Sequence, residues 1–129
     1  MKVGKIFEFE HMISQSDVET YAKLSTDFNS IHLVDASKGD KIEDKIVHGM
    51  LIVATITSDL QRIIKQNFKL CKESTIFKVP LKMNEKFTSK IEVLAFEGNN
   101  INFIGRCFNA SGQQLMIWKC DVEILSKLT

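Results

Sequence analysis

The segment that most limits how this chain can fold begins at Gly49 and continues to Ile64. Residues 50–56 are apolar on nearly every side of a helix, whereas residues 58–65 have the separate polar and apolar faces of an amphipathic helix. A helix that is apolar all round has to be buried all round. In a chain of 129 residues, only a sheet wrapped around the helix can bury it in this way. We therefore predict a central helix over residues 49–64, enclosed by a sheet.

The remainder of the chain supplies strands for this sheet. Alternation of apolar and polar residues predicts one strand before the central helix and four strands after it. The predicted strands cover residues 5–10, 76–83, 86–96, 101–109 and 113–125. The predicted fold class is α+β, with an antiparallel sheet around one buried helix, in a single domain over residues 1–129.

A second, shorter helix is predicted between the first strand and the central helix. Ser16 and Glu19 have the spacing of a capping box, in which the hydroxyl caps the helix and the carboxylate reaches back. This helix should end near Asp27, where turn-forming residues begin. Residues 33–46, with a polar and charged centre, are predicted to be irregular.

Composition excludes several classes of function. The net charge is +1, from 17 basic and 16 acidic residues, so there is no electrostatic argument for a nucleic-acid or membrane partner. The three cysteines have no CxxC spacing and favour free thiols over a disulfide framework. The first residues do not resemble a signal peptide, and no apolar run is long enough to span a bilayer. We expect a cytoplasmic protein.

Two short motifs carry residues suited to catalysis, DFNSIH at 27–32 and IVHGML at 46–51. Asp27 and His32 together could hold a water molecule and remove its proton. The backbone N–H of Gly49, at the start of a helix, could donate a hydrogen bond to a developing oxyanion. These are the groups needed to add water to a carbonyl-activated double bond, or to remove it.

The other histidines are given structural roles. His48 is predicted to order the loop before the central helix, and His11 to be a surface residue at a strand end. Three histidines and Asp27 raise the question of a metal site, but no pair has HxxxH or similar spacing, so we predict no metal.

The chain resembles the MaoC-like hydratases, and within them the (R)-specific enoyl-CoA hydratases, over nearly its whole length. The resemblance is sharpest in YAKLSTDFNSIH (21–32) and IVHGMLIVATITSDL (46–60), with weaker support from IFKVPLKMNEKFTSKIEVL (76–94). The family motif is usually D-x-N-P-x-H, and here Ser30 stands where proline is expected. Proline would stiffen the loop but supplies no chemical group.

The resemblance implies the hot-dog fold and reversible hydration of a trans-2-enoyl-CoA to an (R)-3-hydroxyacyl-CoA. Asp27 and His32 match the catalytic pair of the family, and Gly49 matches the glycine whose N–H faces the thioester oxygen. Asn29 is assigned to shaping the loop, and Thr57 stands where related hydratases often carry a serine near the site. The resemblance further implies an acyl-CoA substrate, no metal or redox cofactor, and a homodimer with sites near the subunit interface.

Three alternatives are considered. A dehydratase that acts on acyl carrier protein would carry the same residues, so this alternative stays open. Hot-dog thioesterases typically place an acidic residue on the central helix, and residues 50–57 contain none, which argues against thioester hydrolysis. The third alternative is a non-catalytic acyl-CoA-binding or subunit-pairing module, and the intact Asp27 and His32 pair argues against it.

Overall fold

The computed structural model describes residues 1–125, which form one five-stranded sheet, two α-helices and two single-turn 3-10 helices. In chain order the elements are β1 (Ile6–Met12), α1 (Gln15–Ser25), α2 (Gly49–Ile64), β2 (Phe68–Phe77), β3 (Lys86–Glu97), β4 (Asn100–Asn109) and β5 (Gln114–Ile124). The strand order is β1-β3-β4-β5-β2, and every neighbouring pair is antiparallel. Strands β1 and β2 are therefore the edges. Within residues 1–125, no helix has the length and apolar character needed to cross a membrane.

The core lies between α2 and the inner face of the sheet. Every second residue is buried in β3 as far as Val93 and along β4 and β5, as the alternation predicted, with Ile104 and Leu115 buried in addition. Beyond Val93 the register of β3 against β4 shifts, and Ala95 is exposed.

The two layers are in tight contact at Gly105 of β4, where an added Cβ would lie 2.7 Å from Cδ1 of Ile56 and 3.1 Å from Cε3 of Trp118. Both neighbours are fully buried. Glycine at this position is therefore what allows α2 to lie so close to the sheet.

The bounds of α2 confirm the predicted central helix, but its burial differs from the prediction. Met50 and Ala54 are exposed, Met50 by 53%. The prediction of burial all round was wrong at these residues because one sheet covers only part of the circumference of the helix. One side of the first half of α2 is left open in the single chain.

The first helix begins differently from the prediction. Ser14, and not Ser16, is the N-cap: its hydroxyl accepts a hydrogen bond from the Asp17 backbone N–H, and the Asp17 carboxylate accepts one from the Ser14 N–H. The capping box is real but starts two residues earlier, because the chain turns into the helix soon after β1 ends.

The predicted strand over residues 76–83 was wrong, since β2 covers Phe68–Phe77. As an edge strand, β2 has no fully buried residue, so its sequence lacks a clear apolar alternation. Pro80 lacks a backbone donor and lies outside the strand. The other four predicted strands agree with the structure to within two residues at each end. Residues 33–46 are irregular apart from the 3-10 turns at Ala36–Lys38 and Ile42–Asp44.

A buried polar cluster links α2 to β1 and β3. The Asp59 carboxylate is fully buried, and one of its oxygens accepts hydrogen bonds from His11 Nε2 and Ser89 Oγ, both at 2.8 Å. The other oxygen has no hydrogen-bond partner among residues 1–125, and lies 3.8 Å from Arg62 Nη1. The prediction that His11 is a surface residue was wrong, because its ring turns inward to Asp59 and its side chain is only 10% exposed.

We predict that His11→Ala lowers the free energy of unfolding by about 3 kcal/mol, because it leaves a buried carboxylate without its main partner. Glu10→Ala, at an exposed position of the same strand, is the matched control and should change the stability by less than about 0.5 kcal/mol. Urea unfolding followed by circular dichroism measures both changes. Equal stability of the two variants would show that the cluster does not stabilise the fold.

Candidate active site

The loop after α1 brings Asp27 and His32 together. The Asn29 backbone N–H donates to the Asp27 carboxylate, and the Asn29 side-chain oxygen accepts from the Ile31 N–H, both at 3.2 Å. The His32 backbone N–H donates to the Asn29 carbonyl at 3.0 Å, which closes a turn. Asn29 thus lies where the sequence placed it, at the centre of the loop that folds His32 back towards Asp27.

Within this pair, His32 Nε2 lies 3.8 Å from Asp27 Oδ2. This distance is too long for a direct hydrogen bond, but one water oxygen can lie within hydrogen-bonding distance of both atoms. His32 Nδ1 lies 2.8 Å from the carbonyl oxygen of Ile46. Because a carbonyl can only accept, Nδ1 carries the proton, and Nε2 of the neutral ring has a free lone pair. The His32 nitrogen that faces Asp27 is therefore the basic one.

His48 packs against the Asp27 and His32 pair. Its ring stacks on the His32 ring with centroids 3.8 Å apart, and the Tyr21 ring packs edge-on against the His48 ring with centroids 4.9 Å apart. His48 Nε2 donates to the Asp27 carbonyl oxygen at 3.1 Å. His48 is 2% exposed. The side chain predicted to order the loop thus contacts both members of the Asp27 and His32 pair.

The N-terminus of α2 faces the same region. His48 is the N-cap residue but makes no side-chain capping bond. The backbone N–H groups of Gly49 and Met50 have no acceptor within the part of the chain that the structure describes. Free N–H groups at a helix start carry partial positive charge and suit an anionic ligand or a developing oxyanion.

These groups share one cavity of about 450 Å³. Its polar lining includes Asp27, His32, His48 and Lys78, and most of the remaining lining side chains are apolar. The apolar lining residues are Ile31, Ile46, Val47, Met50, Ile52, Phe77, Val79, Pro80 and Leu81. A mostly apolar cleft of this size with a few converging polar groups is typical of a small-molecule site.

Phe77 is a cavity residue that the sequence did not reveal. An added Cβ on Gly49 would lie 2.7 Å from Cε1 of Phe77, so the ring lies directly against the glycine. The contact joins the end of an edge strand to the start of α2, and no local pattern in the sequence reports such a contact.

Thr57 does not line the cavity. Its hydroxyl donates to the Val53 carbonyl at 2.7 Å, and it lies about 12 Å further along the helix axis than Gly49. Its predicted supporting role stays a prediction. The central helix does carry one acidic residue, Asp59, beyond the residues 50–57 in which the sequence has none. Its carboxylate is buried, accepts hydrogen bonds from His11 and Ser89, and does not line this cavity.

The cysteines also lie outside the cavity. All three are free, and Cys71 is exposed while Cys107 and Cys120 are buried. Burial is the main cause that raises the pKa of the Cys107 and Cys120 thiols to about 12. Neither thiol is poised as a nucleophile at neutral pH.

Asp27, His32 and His48 could in principle hold a metal ion, since one ligand atom from each lies within 4.8 Å of the others. The stacked imidazole rings argue against this, because a metal binds in the plane of each ring, and two rings stacked face to face with 26° between their planes direct their nitrogen lone pairs side by side and not at one point. His48 Nε2 is already bonded to the Asp27 carbonyl. The residues present suit a water molecule better than a metal.

Comparison with known proteins identifies the family. Residues 2–108 match the family model described as MaoC like domain. The (R)-specific enoyl-CoA hydratase of Aeromonas caviae is 30% identical over 97 residues, which cover 74% of this chain and 72% of that protein. The mitochondrial 3-hydroxyacyl-[acyl-carrier-protein] dehydratase of Arabidopsis thaliana is 26% identical over 125 residues, 91% of this chain and 73% of that protein.

Among solved structures, the (R)-hydratase from A. caviae superimposes with a TM-score of 0.86 at 24% sequence identity, covering 97% of this chain and 98% of that chain. This likeness confirms the predicted fold, an α+β sheet packed around a central helix. The chain therefore belongs to the MaoC-like family of hydratases and dehydratases, and it has the hot-dog fold.

Proposed function

We propose that the protein catalyses the reversible addition of water to a trans-2-enoyl-CoA, which gives an (R)-3-hydroxyacyl-CoA. The observation that carries this proposal is the placement of Asp27 Oδ2 and His32 Nε2, 3.8 Å apart, in a largely apolar cavity next to the free N–H groups at the start of α2. This reaction needs a pair of side chains that can remove a proton from water, and a hydrogen-bond donor that can stabilise an oxyanion.

In the proposed mechanism, His32 and Asp27 bind one water molecule between them. As the water oxygen attacks C3 of the enoyl thioester, His32 Nε2 accepts a proton from it. The π electrons of the C2–C3 bond move towards the thioester carbonyl and form an enolate. The protonated pair then returns the proton to C2, so that water is added across the double bond with no net change in the enzyme.

The negative charge of the enolate develops on the thioester oxygen. The Gly49 N–H would donate to this oxygen, assisted by the dipole of α2. The absence of a side chain on Gly49 would let the substrate carbonyl approach the backbone closely. The apolar walls of the cavity would hold the acyl chain and limit the access of bulk water.

The second candidate is a 3-hydroxyacyl-[acyl-carrier-protein] dehydratase, the same chemistry in reverse on another carrier. It is supported by the similarity to the Arabidopsis thaliana dehydratase over 91% of the chain. Crotonyl groups carried on CoA and on acyl carrier protein, assayed side by side, distinguish the two candidates by the ratio of kcat/KM. Absence of turnover with both carriers would favour a non-catalytic thioester-binding module.

We expect Asp27→Asn and His32→Ala each to lower the rate of crotonyl-CoA hydration by about 1000-fold or more. If the two residues act as one unit, the double variant should be little slower than either single variant. Asp44→Asn, an exposed carboxylate in the connection that precedes α2, is the matched control and should keep the wild-type rate. A His32→Ala enzyme with a large share of the wild-type rate would remove His32 from the mechanism.

We expect Gly49→Ala to lower kcat by about 100-fold, because the added methyl group blocks the approach of the thioester to the backbone N–H. The methyl group would also press on Phe77, whose exposed fraction is 51%. The double variant with Phe77→Ala separates the two effects. Recovery of activity in the double variant would attribute the loss to Phe77 and not to the oxyanion site.

We propose that the protein forms a homodimer in which the two copies pair along β2. This edge strand ends in exposed apolar side chains at the cavity, with Ile76 exposed by 62%, and the open side of α2 lies close by at Met50. Unpaired strand edges with exposed apolar residues favour pairing with another strand.

We expect light scattering to give a mass of two chains at micromolar concentration. Ile76→Lys should shift the protein towards a monomer, because it places a charge in the apolar contact. Ile6→Lys, at a comparably exposed position of the opposite edge strand, should leave the dimer intact. A monomeric wild type, or a dimer lost only in Ile6→Lys, would contradict pairing through β2.

A further inference from the structure

The loop that carries Asp27 and His32, residues 27–32, is hydrogen-bonded to a neighbouring segment, residues 45–47. The Ile46 N–H donates to the Ile31 carbonyl at 3.0 Å, and the Ile46 carbonyl accepts from His32 Nδ1 at 2.8 Å. The Lys45 ammonium donates to the Ser30 carbonyl at 2.7 Å. Only the last of these three hydrogen bonds uses a side chain of the holding segment, so only it can be removed by substitution without disturbing the backbone.

Lys45 is itself fixed in place. Its side chain is 12% exposed, and its ammonium lies 3.2 Å from Asp40 Oδ2. Asp40 Oδ2 also accepts a hydrogen bond from the Asp35 backbone N–H at 3.0 Å. The hydrogen bonds from the Asp35 backbone and from Lys45 lower the pKa of the Asp40 carboxyl, so the ion pair persists at neutral pH. The ammonium therefore reaches Ser30 from a defined position.

The orientation of the Ser30 carbonyl helps to set the conformation of the loop. The bond from the His32 N–H to the Asn29 carbonyl makes residues 29–32 a β-turn, with Ser30 as its second residue. The Ser30 carbonyl belongs to the central peptide of that turn, and the orientation of this peptide distinguishes the common turn types. A hydrogen bond to this oxygen therefore fixes the direction in which the chain enters His32.

We propose that Lys45 is a positioning residue for the reaction: it fixes the Ser30 carbonyl and thereby holds His32 Nε2 towards Asp27. This proposal rests on the proposed function, since the geometry it maintains is that of the water-activating pair. Lys45 does not line the cavity, and its ammonium bonds to the Ser30 carbonyl and not to Asp27 or His32. It therefore acts only through the backbone of the turn.

The first test is kinetic. Lys45→Met should lower kcat for crotonyl-CoA hydration by about 10-fold, because small displacements of a catalytic group reduce the rate strongly, and should change KM by less than about twofold. Lys38→Met is the matched control, since the Lys38 side chain belongs to the same connection, is 73% exposed and makes only a 4.0 Å contact with Asp35. An unchanged kcat in Lys45→Met would overturn the proposal.

A second variant asks whether restraint of the turn is what Lys45 supplies. Proline favours the second position of such turns, and the Ser30 N–H has no acceptor among the described residues. Ser30→Pro in the Lys45→Met background should recover about two- to fivefold in kcat, by restricting the unbound conformations of the loop. No recovery, with Ser30→Pro alone as active as the wild type, would overturn the proposal.

Proton NMR tests the positioning role of Lys45 without any measurement of turnover. The Nδ1–H proton of His32, bonded to the Ile46 carbonyl, should give a slowly exchanging imidazole resonance that is absent in His32→Ala. Lys45→Met should broaden or shift this resonance, and Lys38→Met should leave it unchanged. An unaltered resonance in Lys45→Met would overturn the proposal even if the rate fell. Because it needs no substrate, this measurement separates a failure of the positioning role from a failure of the proposed function.

Discussion

The close packing of α2 against the sheet at Gly105 is the contact on which the rest of the molecule depends. Ile56 meets the sheet where Gly105 has no side chain, and Trp118 fills the space beside them. This contact sets the distance between the two layers of the core. Together with the contacts between α2 and β2, it holds α2 on the sheet, and the start of α2 brings the free N–H groups of Gly49 and Met50 to the cavity.

The chain contains two pairs of histidine and aspartate in opposite environments. His11 and Asp59 are sealed in the core, where Ser89 completes the hydrogen bonding of one carboxylate oxygen. In the other pair, the Asp27 side chain is 48% exposed while His32 is buried, and the two atoms stand far enough apart to share a water molecule. A sealed and directly bonded pair suits a structural link, whereas an open pair with a gap suits proton transfer.

The candidate site is held mainly by backbone groups. Carbonyl oxygens of Ile46 and Asp27 accept from the two histidine rings and so fix which ring nitrogen is free. The segment that supplies Ile46 is anchored in turn, because the Val47 N–H donates to the Leu81 carbonyl. The geometry of the pair thus depends on three stretches of chain that are distant in sequence. The site is consequently sensitive to changes in residues that never touch a substrate.

The sequence by itself determined the central helix, the inner face of β5 and that of β3 as far as Val93, and the two motifs that meet in the cavity, because apolar periodicity and turn residues are local signals. Only the tertiary structure decided the rest. The edge strand β2 carries only a short apolar alternation, since none of its residues is fully buried and only Phe68 and Leu70 pack partly against the core. The inward turn of His11, the contact of Phe77 with Gly49 and the reach of Lys45 to Ser30 all join residues far apart in the chain. Such contacts leave no pattern in the sequence, because they depend on how the elements pack and not on what each element is.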